Sequence, residues 1–477
     1  MPFAMSDGMK MNPKVLACLV LLLAAGCKVG PDFTPPKPAL PAGWTGAPGA
    51  PQPSAVTTQP AELRQWWQQF GDPVLTSLIE EALRANLSLA SAQANLRQAR
   101  ALRGIAAGGL WPSATASASA ERQGGRAYVT GGGPANLFQA GLDASWELDI
   151  FGGARRNLES ADASVLAAVE NLRDVQVTLA AEVALDYVQL RGYQQEIVTA
   201  QQNLEIQRHT LEITGKLHQV GFDSGLDLAN AQETVATTEA QIPVFATGAR
   251  QSIFALSVLL GREPGYLVER LSPAGDLPAL PTRIPAGLPS DLLRRRSDVR
   301  QAEAQLHSAT AQIGVAVAQL FPQFSLTGGL GWQSSQASTL LKKANRSYFL
   351  GPAASWPIFS GGAIVSNIHA QEALRDISFI NYQQTVLTAL QDVENALVAF
   401  TQEQNHYRSL DAAVAADRKA VELSMRLYQE GMTDFLTVIT AQRTLYTDAS
   451  AFTQSRENLG ADLIALYKAL GGGWAES

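Results

Sequence analysis

The chain has 477 residues, of which 46% are hydrophobic, 17% are charged and 7% are aromatic. This composition is too apolar for a disordered chain, and the chain lacks the repeated long apolar runs of a helical membrane bundle. The net charge of −7 argues against a nucleic-acid partner, and two cysteines, both before residue 28, exclude a disulfide or zinc cluster in the body of the chain.

The first 26 residues have the features of a secretory signal peptide. Two lysines precede a short apolar run at residues 15–23, whereas crossing a bilayer takes roughly 20 residues. Small residues then lead to Cys27, as in a bacterial lipobox, so we expect Cys27 to be acylated. The alternative is ordinary signal cleavage that leaves Cys27 as an incidental thiol. Lys28, rather than an aspartate, predicts sorting to the outer membrane.

Residues 27–72 are predicted to form an extended, lipid-anchored tether. Prolines are frequent between residues 29 and 60, and they prevent regular helix or central strand there. The tether therefore connects the acylated end to the folded body without a core of its own.

The rest of the chain contains an internal repeat with a constant offset of 210 residues. Repeat one covers 73–262, a proline-rich linker covers 263–289, repeat two covers 290–472, and a short tail covers 473–477. The matching landmarks are Pro112 and Pro322, Ser145-Trp146 and Ser355-Trp356, Gly221 and Gly431, and Leu260-Gly261 and Leu470-Gly471.

Each repeat has the same predicted order of elements. A helix (75–108 or 290–319) precedes two segments of alternating polarity, which are predicted strands (113–121 and 138–149, or 324–333 and 348–359). A long helix follows (154–220 or 363–430), then a glycine-containing turn and a shorter returning helix (226–260 or 435–469). Apolar positions in both long helices step by four and three, which indicates supercoiled helix pairs.

The alternating segments have the length and pattern of transmembrane β-strands. Four strands cannot close a barrel, so copies of the chain must join. Two copies would give eight strands around a filled bore, and three would give twelve around water. We favour three, because Gln139, Asp143 and Glu147 make one face polar.

The predicted fold class is therefore a mixed α+β membrane protein. It is a trimeric twelve-stranded β-barrel, with four strands per chain, continued by a long α-helical coiled-coil barrel. The alternative for the strands is the edge of a soluble sandwich. Trp146, Trp332 and Trp356 lie near strand ends, and we interpret them as an interfacial aromatic girdle rather than as core residues.

Several short motifs carry a family resemblance that covers nearly the whole mature chain. They are Cys27-Lys28-Val29-Gly30-Pro31-Asp32-Phe33, Trp66-Trp67 with Phe70-Gly71-Asp72-Pro73, Ala441-Gln442-Arg443, and Tyr467-Lys468-Ala469-Leu470-Gly471-Gly472-Gly473-Trp474. With these motifs the sequence resembles the outer membrane factors of tripartite efflux pumps, the TolC-like lipoproteins of the NodT family.

The resemblance implies a homotrimer with an outer-membrane barrel and a periplasmic helical barrel. It also implies a passive exit duct for small toxic compounds, in contact with outer-membrane lipid. The closed periplasmic tip would be opened by a periplasmic adaptor (membrane fusion) protein and an inner-membrane RND-type pump. The tip turns that contact the adaptor would be at Gly221, Gly225, Gly431 and Met432.

The family's tip constriction uses a tyrosine, an acidic ring and an arginine, which places the first and last of these at Tyr428 and Arg443. The acidic ring position is Thr440 here, and Thr437 lies one turn earlier. This departure leaves three nearby carboxylates as substitutes, namely Asp227, Asp223 and Asp434. For Asp223 and Asp434 the alternative is that each caps the helix that follows.

No catalytic residue, metal site or cofactor is predicted, and we expect no enzymatic activity. The five histidines have no metal-ligand spacing, and the glycine runs lack the lysine of a phosphate loop. Two functional classes remain open: the exit duct, and a lipid-anchored coiled-coil scaffold of the envelope that does not conduct. Whether a duct would serve drugs, metal ions or a secreted polypeptide also remains open.

Overall fold

The structure is a computed structural model. It describes residues 28–45, 63–124, 134–281, 287 and 289–474, and the backbone of residues 55–57 and 283–285. The predicted signal peptide, the predicted acylation site Cys27 and residues 475–477 of the predicted tail lie outside this described part.

Helices make up most of the described chain, and the long ones end where the sequence predicts. The two longest have 67 residues each and the two returning helices have 35 each, with ends within one residue of the prediction. The helices are α1 (Pro73–Ala85), α2 (Leu87–Gly108), α3 (Gly153–Gln219), α4 (Gly225–Leu259), α5 (Val268–Leu271), α6 (Pro289–Arg295), α7 (Ser297–Ala318), α8 (Ala363–Gln429) and α9 (Phe435–Ala469).

The first helix of each repeat is interrupted once, which corrects the prediction of single helices at 75–108 and 290–319. The breaks fall at Asn86 and Arg296, which are related by the 210-residue offset. The Asn86 amide donates to the carbonyl of Leu259 at 2.8 Å, and Arg296 donates to the carbonyl of Ala469 at 3.2 Å. In both repeats a polar side chain therefore breaks the helix and caps the end of the returning helix.

The strands are β1 (Ala55–Thr57), β2 (Ser113–Gln123), β3 (Ala135–Leu148), β4 (Arg283–Pro285), β5 (Gln323–Ser334) and β6 (Arg346–Ser355). Four of them form one antiparallel sheet in the order β2-β3-β5-β6. Each repeat supplies one hairpin, and β3 pairs with β5 to join the two hairpins. Among the residues that the structure describes, the outer strands β2 and β6 each have one neighbouring strand, so each leaves one edge without a partner.

A second, very small sheet was not predicted. Strands β1 and β4 pair in parallel, so the predicted tether and the predicted linker meet there. A two-stranded ladder consists of edges only, and edges tolerate prolines such as Pro285.

The chain divides into two compact units. Unit one consists of Met1–Lys37, Asn95–Val169 and Gln301–Gln383 and contains the four-stranded sheet. In this unit Phe151 stacks on Phe321 with ring centroids 4.5 Å apart, next to the end of β3.

Unit two consists of Pro38–Ala94, Glu170–Arg300 and Gln384–Ser477 and contains most of the large apolar core. Its centre explains two of the family motifs. Trp66 is fully buried and stacks on Tyr467 at 5.1 Å, while Asp72 caps α1 and accepts a hydrogen bond from the Tyr187 hydroxyl at 2.7 Å.

Helix α4 is the one described helix that is long and apolar enough to cross a membrane by length and composition alone. In unit two its side chains at Ala231, Ile253 and Leu256 are buried. Other apolar side chains of this helix, such as Val244 and Val258, are exposed in the single chain.

Candidate functional site

The first of the two predicted tip turns joins α3 to α4. Gly221 has φ +84°, and the amide of Phe222 donates to the carbonyl of Leu217 at 2.9 Å, which closes the end of α3. Ser224 and Asp227 form a capping box at the start of α4, in which each side chain accepts from the backbone amide of the other. The Asp227 carboxylate thus takes part in the N-terminal cap of α4.

The second turn joins α8 to α9 in the same way. Gly431 has φ +71°, and the amide of Met432 donates to the carbonyl of Leu427 at 2.8 Å. Asp434 caps α9 and accepts from both the amide and the hydroxyl of Thr437, at 2.9 and 2.7 Å. The bond from the Thr437 hydroxyl and the bond from its amide lower the pKa of Asp434. In the structure Asp434 follows the capping alternative.

A tyrosine joins the two turns. The Tyr428 hydroxyl donates to the Asp223 carboxylate, and the Thr214 hydroxyl lies 3.3 Å from the Tyr428 oxygen. Only 5% of Tyr428 is exposed, and its ring packs edge-on against Phe435. Burial, together with the bond to Asp223, raises the pKa of Tyr428, so the phenol remains a donor. Asp223 therefore does not cap α4 with its side chain; it binds the tyrosine of the other repeat.

A second connection between the two repeats is an ion pair that joins their returning helices. Arg443 of α9 pairs with Glu233 of α4 and also reaches the Thr234 hydroxyl at 3.4 Å. A hydrogen bond from Thr237, with the charge of Arg443, lowers the pKa of Glu233. The sequence analysis missed Glu233, although it is the residue that the 210-residue offset aligns with Arg443.

Besides the capping residues Asp227 and Asp434, the predicted gate residues Thr437 and Thr440 do not take part in these connections. Thr440 donates to the carbonyl of Leu436 in its own helix at 2.7 Å, and Thr437 is engaged with Asp434. Buried below the turns, Gln442 donates to the Thr210 hydroxyl at 2.6 Å. The carboxylates that bridge the repeats here are thus Asp223 and Glu233.

Both turns expose large apolar side chains. The exposed fraction is 82% for Phe222 and 63% for Met432, which are equivalent by the repeat. Leu226 and Leu436 are also equivalent and are similarly exposed. Phe222 and Met432 lie in the predicted tip turns, whereas the sequence analysis missed Leu226 and Leu436, which the repeat offset would have identified as a matched apolar pair.

The three predicted girdle tryptophans lie at both ends of the four-stranded sheet. Trp146 and Trp356 are at the same end, and their indole N–H groups donate to the carbonyls of Leu110 and Leu320, each at 3.0 Å. Trp332 is opposite Ala140 toward the other end. Their role at a membrane interface stays a prediction.

Comparisons with known proteins agree with this architecture. The family model described as outer membrane efflux protein matches residues 78–262 and 288–472, which correspond to the two repeats. Nodulation protein T of Rhizobium leguminosarum bv. trifolii is 31% identical over 454 residues, covering 95% of this chain and 96% of that protein. The pyoverdine export outer membrane protein OpmQ of Pseudomonas aeruginosa is 33% identical over 431 residues, covering 88% and 90%.

A solved structure is similar over the same length. The structure described as the outer-membrane channel OprN superposes with a TM-score of 0.87 at 37% sequence identity. The match covers 94% of this chain and all of that chain. The similarity therefore includes both repeats and the sheet.

Proposed function

The chain belongs to the outer membrane efflux protein family and is an outer-membrane exit channel of an efflux system, and we propose that three copies form one conduit. The observation that carries the proposal is the four-stranded sheet with two open edges, at β2 and β6. In lipid, each unpaired N–H or C=O group would cost several kcal/mol. Pairing β6 of one copy with β2 of the next removes these edges, and three copies give twelve strands around a water-filled lumen.

The side chains on the outer strand support insertion into lipid. Tyr348 and Leu350 on β6 are 78% and 77% exposed in the single chain, and Phe349 between them is 57% exposed. Apolar side chains on an unpaired strand would aggregate in water, but they suit a strand that lies in a bilayer and against a neighbouring copy. Trp146, Trp332 and Trp356 would then mark the two interfaces.

The two turns would form the gate of this conduit. The bond from Tyr428 to Asp223 and the ion pair of Arg443 with Glu233 both connect the hairpin α3–α4 to the hairpin α8–α9. While both connections hold, the hairpins of one chain stay together and the aperture stays narrow. Breaking them would free the hairpins to separate.

The partners follow from the exposed apolar side chains of the turns. Phe222, Leu226, Met432 and Leu436 offer an apolar surface that a periplasmic adaptor protein would cover. The adaptor would connect the channel to an inner-membrane RND-type pump, which supplies the energy and selects the cargo. The duct itself would be passive and would have no enzymatic activity.

The proposed cargo is small toxic compounds, supported by relatives that include the toluene efflux pump outer membrane protein TtgF of Pseudomonas putida, which is 31% identical. A duct for metal ions or a secreted polypeptide is the alternative. Acylation of Cys27 would anchor the chain in the outer membrane beside the barrel.

Single-channel recording of the purified protein in a planar bilayer tests the proposal. The trimeric conduit should give discrete conductance steps, and its mass in detergent should be three times that of the chain. A non-conducting scaffold would give no steps at any voltage, and a monomeric sample would refute closure by three copies. Replacing Tyr428 and Arg443 together by Ala should increase the open fraction if the gate lies at the turns.

A further inference from the structure

The residues directly after Cys27 lie in a built site on unit one. Lys28–Phe33 has no helix or strand, yet it contacts a cluster of three side chains from two helices. We call this cluster the N-terminal seat; it consists of Arg156 and Glu159 on α3 and His307 on α7. The motif at Lys28–Phe33 marks the family in the sequence, but none of the functions considered above uses it.

Arg156 is the centre of the seat. Its side chain is 1% exposed, and its guanidinium donates to the carbonyls of Val29 and Gly30 at 2.9 and 3.0 Å. It also donates to the carboxylate of Asp32 at 2.8 Å and to that of Glu159 at 2.9 Å. Most donors of a buried guanidinium are thus directed at one short segment, and removing that segment would leave them unsatisfied.

Glu159 and His307 complete the seat. Glu159 pairs with Lys28 and with the His307 ring nitrogen Nε2, the latter at 3.1 Å. Burial alone would raise the pKa of Glu159, but the hydrogen bonds from Lys28, His307 and Arg156 outweigh it and lower that pKa to about 2. The His307 ring also stacks on Phe33 with centroids 4.3 Å apart and planes 11° apart.

The backbone of the segment fits the seat closely. Gly30 has φ +84°, and a Cβ atom there would lie 2.4 Å from the Cα atom of Gly314. The amide of Val29 donates to the carbonyl of Phe151 at 3.1 Å, three residues after β3 ends. The segment therefore has a fixed register beside the end of that strand.

The equivalent helices α8 and α2 lack the side chains of the seat. The residues equivalent to Arg156 and His307 are Ser366 and Arg97. The arginine and the histidine are thus found in the pair of helices that contacts the N-terminal segment and not at the equivalent positions of α8 and α2.

We propose that the N-terminal seat fixes the position of the acylated residue. Because Lys28 is held against Glu159 and next to Gly152, near the end of β3, the described chain begins at a fixed point, to which Cys27 is joined directly. The seat would hold the segment whether or not the acyl chains are in lipid. The biological purpose of the seat rests on the proposed acylation of Cys27. The experiment below tests the seat without assuming acylation.

Trypsin cleavage after Lys28 in the full, membrane-extracted protein measures how firmly the segment is held. Lys37 precedes a proline and is a poor site, so intact-mass spectrometry resolves the single early cut. Cleavage of a held segment requires local opening, and we expect Gly30→Ala and Arg156→Ala to be cut about tenfold faster than the wild type or more. Gly30→Ala changes only the segment and leaves both helices as they are.

Two control variants match the test. Arg103→Ala removes an arginine–aspartate pair of the same unit that does not touch the segment. Lys37→Gln changes an exposed residue that lies four positions beyond Phe33, outside the segment. Both should be cut at the wild-type rate. If Gly30→Ala is cut no faster than these controls, the seat does not hold the segment. The mass of the released Cys27-Lys28 dipeptide reports acylation separately. An unacylated dipeptide would refute the lipid anchor without contradicting the contacts of the seat.

Discussion

The helices α3 and α8 occupy equivalent places in the two repeats, but their first turns have different surroundings. Over residues 153–170, α3 buries a stripe of side chains. These are Arg156, Ser160, Ala163, Ala167 and Glu170. The five equivalent residues of α8 are all exposed, and Ile377 and Ile380 among them are 53% and 61% exposed. They are Ser366, Ala370, Ala373, Ile377 and Ile380.

The cause of the difference is the partner helix. The stripe of α3 packs on α7, for example through Ser160, which contacts Ser308 and Gln312 at 2.8 Å each. The repeat equivalent of α7 is α2, whose side chains Leu102 and Ile105 are 55% and 72% exposed. One chain thus contains one completed helix contact, between α3 and α7. The equivalent faces of α8 and α2 are both exposed and do not meet within the described chain. A neighbouring copy that places its α2 on α8 would complete a second contact of this kind.

The largest expected effect, loss of the trimer, comes from a charged residue on the exposed face of α8. Ile380→Glu should abolish the trimer, because the assembled state would bury an unpaired carboxylate at a cost of several kcal/mol. Size-exclusion chromatography with light scattering measures the loss, and Leu102→Glu should have the same effect from the exposed face of α2. Glu372→Gln, an exposed control on α8, should leave the trimer intact. A trimeric Ile380→Glu protein would show that α8 is not in the interface.

The repeats also differ at one buried carboxylate. Glu196 is 4% exposed and accepts from the Ser450 hydroxyl at 2.9 Å, whereas its equivalent, His406, is exposed. Burial raises the pKa of Glu196 to about 7, and burial with the neighbouring charge of Glu196 does the same for Glu457. Tyr446 is the other titratable group affected by this site.

A raised carboxylate pKa means that the folded chain holds the proton more strongly than the unfolded chain. This stabilisation is therefore complete below the ordinary value near 4.5 and is lost as the pH rises through about 7. Glu196→Gln should flatten this dependence and raise the free energy of unfolding at pH 8 by about 2 kcal/mol. Denaturant titrations from pH 5 to 8 measure it. An unchanged slope would mean that Glu196 is solvated, and His406→Gln serves as the matched control.

The two turns also differ between the repeats, at Tyr428 and its equivalent His218, and we expect a smaller effect there. Tyr428→Phe removes a hydrogen bond to a carboxylate, worth about 1.5–3 kcal/mol, and should raise the open fraction in single-channel recordings. Its repeat equivalent, His218, makes a hydrogen bond within its own turn, to the carbonyl of Asp223. His218→Ala should therefore have little effect on gating, as should Thr440→Ala. Equal effects of the tyrosine and histidine variants would place the gate elsewhere.

The smallest effect is expected at the helix caps, where the repeats are most alike. Ser224→Ala removes the capping box of α4 and should lower the free energy of unfolding by about 1 kcal/mol. Asp434→Asn keeps a good cap on α9 and should leave the stability nearly unchanged. Thermal unfolding followed by circular dichroism compares the two. A larger loss for Asp434→Asn would indicate that its charge has a role beyond capping.

Much of the fold follows from the sequence because periodicity and glycine positions are local signals. The ends of α3 and α8 and the two strands of each repeat were predicted from them. The breaks at Asn86 and Arg296 were not, because each break depends on a carbonyl at the end of a distant helix. The same holds for the pairing of β1 with β4.

The candidate site was predicted less completely. Tyr428, Arg443 and Asp223 were named, but the sequence could not decide which carboxylate each would contact. That choice depends on how the hairpin α3–α4 packs against the hairpin α8–α9, which local patterns do not report. Glu233 was accessible from the repeat offset alone, since it aligns with the arginine that it binds.

The contact between Trp66 and Tyr467 has a consequence for biogenesis. The Tyr467 hydroxyl also donates to Gln69 at 2.7 Å, and the amide of Gly473 donates to the carbonyl of Leu63 at 2.9 Å. Residues 63–69 thus find their packing partners only after almost all of the chain has been exported. Until Tyr467 has been exported, Trp66 lacks the ring on which it stacks, so we expect an unfinished or truncated chain to expose this indole to chaperones and proteases.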